Sequence, residues 1–218
     1  VPGNAQNRKE REEQEVMFMT KIFDRWETEN VKVNDLGLER YINLESRTVP
    51  HSFGRNSKKR FEKAKINIVE RLVNKIMRSG QGKRKLSGKY IRGRGSTGKK
   101  IQCLEIVETA FEKIELRTGK NPVEVYIRAI EYSAPREDTT RLKKGGISYT
   151  QSVDVAPLRR LDEAIKNLAL AGFGNSFNNK TSAADALAEE IILASEENPK
   201  SQAVKRRNEV ERIAMSSR

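Results

Sequence analysis

The run from Gly93 to Lys100, GRGSTGKK, sets two glycines five residues apart and follows the second with a lysine. That spacing approaches G-x-x-x-x-G-K-[ST], where the glycines let backbone N–H groups wrap phosphates, the lysine reaches the outer ones and the final hydroxyl holds Mg²⁺. Position 100 is a lysine, so the metal ligand is missing. The preceding KRKLSGKYIR, Lys83 to Arg92, is too polar for the buried parallel strand such a loop needs. No apolar strand ending in a carboxylate stands out downstream. A nucleotide-dependent enzyme is therefore the weaker reading. The stronger one is a basic loop running into a helix, with Lys99 and Lys100 placed where backbone N–H groups point outward and favour a phosphate.

Other chemistry has little to work with. Cys103 is the only cysteine and lies in the apolar stretch IQCLEIV, which reads as a buried, inert thiol. One cysteine allows no intramolecular disulfide and fits a reducing compartment. His51 is the only histidine, which leaves no soft-metal cluster and none of the common acid–base dyads. No cofactor, metal or catalytic activity is expected. No apolar run of membrane-spanning length occurs, and the N-terminal RKEREEQE has no apolar signal core.

Charge is the strongest signal. The 218 residues carry 43 Lys+Arg against 30 Asp+Glu, a formal +13, with 36% hydrophobic residues, so a modest core meets a polyanionic partner. Nine Lys/Arg and no Asp/Glu occur from Arg78 to Lys100: Arg78, Lys83, Arg84, Lys85, Lys89, Arg92, Arg94, Lys99 and Lys100. Such a run repels itself and needs an opposite surface. Arg55, Lys58, Lys59 and Arg60 open a second basic stretch, reaching Lys65. Acidic residues gather elsewhere, as in the segment after Ser182 with Asp185, Glu189, Glu190, Glu196 and Glu197. This asymmetry points to nucleic acid, recognised by shape and phosphates.

The elements that must hold these cations are mainly helical. Residues 1–15 read as a polar tail, and Phe18, Phe23 and Trp26 as anchors onto the body. Residues from Val31 to Phe61 read as extended or irregular chain. Helical stripes follow at Ile68, Val69, Leu72, Val73, Ile76 and Met77, closed by Gly80, and at Ile101, Leu104, Val107, Phe111 and Ile114, closed by Gly119. Asn121-Pro122 starts a third helix bearing Val123, Tyr126, Ile127 and Ile130, ended by Pro135. Gly145-Gly146 turns a hairpin whose second arm alternates Ile147, Tyr149, Val153 and Val155 with polar residues. Its weakly apolar face predicts a projecting ribbon. Leu158, Leu161, Ile165 and Leu168 make a further helix ending near Gly172-Phe173-Gly174. Ser182 with Asp185 caps the next one. The last segment is predicted to lie on the surface, with Lys205–Glu209 and Arg207–Glu211 paired at i,i+4.

VERLVNKIMRSG, the GKK opening the next helix, TGKNPVEVYIRAIE, PREDTTR, GGISYTQSVDV, PLRRLDEAI and ERIAMSSR follow one another in an order that resembles the family of small-subunit ribosomal protein seven. The resemblance covers roughly Val49 to Arg218, and FDRW and YINL resemble its archaeal–eukaryotic branch. It implies a six-helix bundle with a protruding β-hairpin arm: an N-terminal extension over 1–48 and a helical rRNA-binding domain over 49–218, with an insertion at 81–97 and the arm at 136–157. It implies primary binding to the 3′ major (head) domain of small-subunit rRNA and nucleation of head assembly, in the cytoplasm. Exit-site tRNA, the mRNA exit channel and small-subunit protein eleven would lie nearby, with no homo-oligomer. Positions matching the family's RNA contacts are Arg78, Lys99 and Lys100; Arg136, Arg141, Lys143 and Lys144 on the arm; Arg159 and Arg160 at its exit; and Lys58, Lys59 and Arg60. Gly145, Gly146 and Tyr149 join Lys143 and Lys144 at the arm end near tRNA and mRNA. Charge reversal at Lys99 and Lys100 is expected to weaken rRNA binding without unfolding the chain. Ala134 and Ala156 stand where the family pattern has Gly and Ser. The alternatives left open are the nucleotide-dependent enzyme and a general nucleic-acid chaperone.

Overall fold

Local capping chemistry sets most helix boundaries. The computed structural model describes residues 21–28, 30–45, 51–57, 59, 61–80, 82–84, 90–92 and 98–218. Asn67 accepts the Val69 N–H at 2.8 Å and starts α2 (Ile68–Ile76), and Asn121 does the same for Val123 at 3.0 Å ahead of α4 (Pro122–Ser133). Ser182 accepts from the Asp185 N–H and donates its hydroxyl to the Asp185 carboxylate at 2.6 Å, starting α6 (Ala183–Ser195). Gly119, at φ 64°, closes α3 (Lys100–Thr118) in the left-handed conformation that glycine adopts without Cβ strain. α5 spans Pro157–Ser176 and α7 Gln202–Met215. A single turn, α1 (Leu36–Glu39), capped by Asp35, precedes them. The protein is mainly α, with six longer helices among the described residues and a hairpin arm.

The alanine-rich α6 packs against α3, α4 and α5 at the centre of the bundle. Ile68, Leu72, Val107, Phe111, Ile114, Tyr126, Ile127, Ile130, Leu161, Ile165, Leu168 and Ile191 are fully buried there. The predicted stripes account for nearly all of them. Ile101 departs from its stripe: it lies in the first turn of α3, before the helix reaches the bundle, and is 74% exposed.

Two predicted stops fall elsewhere. α2 ends at Ile76, and Gly80 lies beyond its cap, outside the left-handed region. α5 runs through Gly172 and Gly174 to Ser176. Gly172 serves packing there: a Cβ on it would stand 3.2 Å from Leu187 Cδ1 and 3.4 Å from Leu187 Cα, so the missing side chain lets α5 and α6 approach closely.

The upstream chain joins the same core. Lys21–Ile22 (β1) and Trp26–Glu27 (β2) form a small antiparallel ribbon that places Phe23 and Trp26 against Phe111. Phe18 lies outside the described residues. The described residues from Val31 to Phe61 are mostly irregular, as expected, apart from α1 and one 3-10 turn at Arg55–Ser57, with a second 3-10 turn following at Glu62–Lys65. Asn43 and Asn67 form an isolated parallel bridge, and the Ile68 N–H donates to the Asn43 carbonyl at 2.9 Å, clipping this stretch to the start of α2.

Gly82–Arg84 (β3) pairs antiparallel with Tyr90–Arg92 (β4) in a two-stranded sheet, a ribbon that periodicity did not foresee in the basic run after Arg78. The strand before Gly93 is thus not the parallel central strand of a triphosphate-binding loop. Gly93–Thr97 lie outside the described residues.

Candidate nucleic-acid interface

The arm consists of β5 (Glu137–Lys144) and β6 (Ile147–Asp154), joined at Gly145-Gly146 with φ of 59° and 83°. Two successive positive φ values define the tight hairpin turn predicted for this pair. The register sorts the arm into two faces. Arg141 and Lys143 share one with Thr139, Ser148, Thr150 and Ser152. Leu142, Ile147, Tyr149 and Val153 share the other, and Ile147 is 71% exposed, so the ribbon projects as expected. Tyr149 stands opposite Leu142, across the sheet from Arg141. The arm base is tied to α7: the Arg136 N–H donates to Glu211 at 2.9 Å, the Ser152 N–H donates to the Ser217 carbonyl at 3.2 Å, and Arg218 pairs with Glu137.

The predicted cations divide by environment. Arg55, Lys59, Arg78, Lys99, Arg136, Arg141, Lys143 and Arg159 are exposed. Arg55 lies over the Phe53 ring at 5.8 Å, and Arg159 pairs with Asp138 at 3.0 Å while its side chain stays largely in solvent. Lys83, Arg84 and Arg92 are placed by backbone on β3 and β4, and Lys144 by backbone at the arm end. Lys58, Arg60, Lys85 and Arg94 lie outside the described residues.

Two of the predicted cations are committed inside the protein. Arg160 pairs with Asp35 at 2.8 Å, with a side chain only 11% exposed, and so holds α1 against the start of α5. Lys100 donates to Glu70 at 2.7 Å and lies 2.8 Å from His51 Nδ1, with Glu70 almost wholly buried. At the last helix, Arg207 reaches Glu197 at 2.7 Å and the Tyr132 carbonyl at 2.6 Å in place of Glu211, and Arg206 pairs with Glu209. α7 is also partly inserted: Ala203, Val204 and Ala214 are buried, more than its short apolar face suggested.

Cations outside the predicted binding set gather around Asp162. Lys63 at 2.5 Å, Arg71 at 3.2 Å and Lys75 at 3.7 Å surround this one carboxylate. Burial pushes the Asp162 carboxyl up, but the Lys63 bond and the charges of Lys75 and Arg71 outweigh it and hold it below the usual range. At Asp35, burial is likewise overcome by the bond and charge of Arg160 and by the Gly37 N–H. A carboxyl whose folded pKa lies below its unfolded value of about 3.9 stabilises fully above that value and loses its contribution as pH falls from there through the folded pKa. Urea midpoints are therefore expected to fall from pH 5 toward pH 3, and the gap between wild type and Asp162→Asn to narrow over the same range. A constant gap would contradict the pairing.

Lys75 and Arg78 of the α2 end also face Lys166 of α5 and Arg206 of α7 across an open cleft. They span more than a hundred residues of chain, so the local run that names Arg78 does not announce the other three. Among the described residues, no three His, Cys, Asp or Glu cluster as a metal site, and no described helix is long and apolar enough to cross a membrane.

A helical body that turns its unpaired cations outward at loops, at a helix start and along a projecting ribbon defines a nucleic-acid-binding protein of the phosphate-recognising kind. Residues 38–218 match the family described as Ribosomal protein S7p/S5e, and the chain belongs to that family. It is 49% identical over 199 residues to the small ribosomal subunit protein uS7 of Methanococcus aeolicus, an alignment covering 91% of this chain and 98% of that protein. The family match begins at Leu38, upstream of Val49, consistent with Leu38 being fully buried in the shared core.

Proposed function

We propose that this chain is a structural, non-catalytic component of the small ribosomal subunit in the cytoplasm. It binds the 3′ major domain of small-subunit rRNA, nucleates assembly of the head and lies near the exit-site tRNA and the mRNA exit channel, beside protein eleven. Family membership supports the rRNA partner. The observation that carries the binding mode is the outward set Arg78, Lys99, Arg136, Arg141, Lys143 and Arg159, in contrast to Lys100 and Arg160, which are held in internal pairs. The arm contributes Arg141 and Lys143 on its hydroxyl-bearing face, a surface suited to sugar and phosphate oxygens.

Titration against the 3′ major domain and against a scrambled RNA of equal length, at several salt concentrations, tests this. Log affinity is expected to fall linearly with log salt, by about 0.7–0.9 per phosphate contact, with a preference for the true fragment that survives physiological salt. Equal binding to both RNAs would leave a general nucleic-acid chaperone.

A further inference from the structure

The cleft between α2, α5 and α7 has a volume of about 700 Å³, and its lining includes Lys75, Arg78, Lys166 and Arg206 with no carboxylate. Asn167 adds an amide and Leu170 an apolar patch. Arg78 is exposed and has no acidic partner among the described residues. Among the described residues, Lys166 pairs with Glu163 and Arg206 with Glu209, each three residues away on its own helix and well exposed. Exposed pairs of this kind contribute little and exchange readily for a stronger anion.

Lys75 also belongs to a cation cluster beyond the cleft lining. Lys63, Arg71 and Lys75 share the single carboxylate of Asp162. Burial depresses the Lys75 ammonium more than the attraction of Asp162 and Glu163, itself opposed by Lys63 and Arg71, restores it. An anion in the cleft offsets that burial cost. The volume far exceeds what a lone phosphate requires, and it is open to solvent along one side.

We infer that this cleft seats a stretch of RNA sugar–phosphate backbone, with Lys75, Arg78, Lys166 and Arg206 as its phosphate partners. The inference rests on the rRNA-binding reading above and adds to it a site away from the arm. It makes α7 part of the RNA-binding face as well as the brace of the arm base, so one bound strand couples the end of α2 to the helix that holds the ribbon.

The test uses the full chain and the 3′ major domain fragment. Lys166→Gln with Arg206→Gln removes two solvent-facing charges without touching the Asp162 cluster. Lys120→Gln with Arg128→Gln, both outside the cleft, is the matched control, and thermal unfolding of both variants checks that they remain folded. The cleft pair is expected to lower the log–log salt slope by about 1.4–1.8, which corresponds to a loss of about 25- to 60-fold in affinity at 0.1 M salt relative to 1 M. The control pair is expected to leave the slope unchanged. A cleft variant with the wild-type slope, or equal losses in both variants, overturns the cleft assignment while leaving wild-type rRNA binding intact. A wild-type chain that does not prefer the fragment over scrambled RNA overturns the rRNA reading itself.

Discussion

Replacing Lys100 by methionine is expected to lower the unfolding free energy by about 3–5 kcal/mol, the cost of stranding one partner of a buried ion pair. Glu70 is only 2% exposed, and its Oε1 accepts from Lys100 Nζ at 2.7 Å, from the Ser52 N–H at 2.8 Å and from the Ser52 hydroxyl at 3.1 Å. Methionine preserves the length of the side chain but leaves the carboxylate without its counter-charge. Glu70→Gln still accepts from Ser52 and is expected to cost less. The double variant is expected to recover part of the Lys100→Met loss, because the stranded charge is gone. Urea unfolding with a constant slope measures all three. A loss under about 1 kcal/mol for Lys100→Met would place the pair among solvated surface pairs. Joint charge reversal of Lys99 and Lys100 therefore mixes a fold defect with any binding defect. The exposed Lys99 is the position at which a phosphate contact at this helix start is tested cleanly.

That pairing explains why the sequence made the fold easier to read than the binding residues. Helix starts at Asn121-Pro122 and Ser182, the Gly119 closure and the Gly145-Gly146 turn are set by contacts within about four residues, and each stands where local chemistry puts it. The apolar stripes are legible for the same reason, since a helix repeats its own geometry. The role of a charged side chain depends on what stands opposite it in space. Arg159 and Arg160 are neighbours in sequence, yet one points largely into solvent and the other meets Asp35, 125 residues away. Gly172 looked like a stop because its partner, Leu187, belongs to another helix. The cleft around Arg78 was hidden in the same way, because Lys166 and Arg206 join it only after α5 and α7 pack.

Trp26→Ala is expected to cost about 3–5 kcal/mol, the range for removing a large aromatic from a packed core. Trp26 is 5% exposed and packs edge-on against Phe23 at 5.9 Å and Phe111 at 5.7 Å, while its Nε1–H donates to Glu115 at 2.9 Å. Truncation thus opens a cavity and unpairs a carboxylate at once. The turn that presents it carries Phe23 and Asp24 at φ of 54° and 57°, a conformation that non-glycine residues hold only when packing enforces it. Loss of the indole removes that enforcement. The effect is expected to spread along the chain, because the same segment leads to Asn34 and Asp35, whose N–H groups donate to Glu131 at 2.6 and 3.1 Å, and on to the Asp35–Arg160 pair at the arm exit. Trp26→Phe keeps most of the ring packing but loses the Glu115 bond, so an intermediate cost separates packing from hydrogen bonding. Circular dichroism is the suitable probe, since Trp26 is the only tryptophan. A single cooperative transition at a lower urea midpoint is the expected result. Two separated transitions, or a loss below about 1 kcal/mol, would show that residues 21–45 fold apart from the helical body and do not brace the arm.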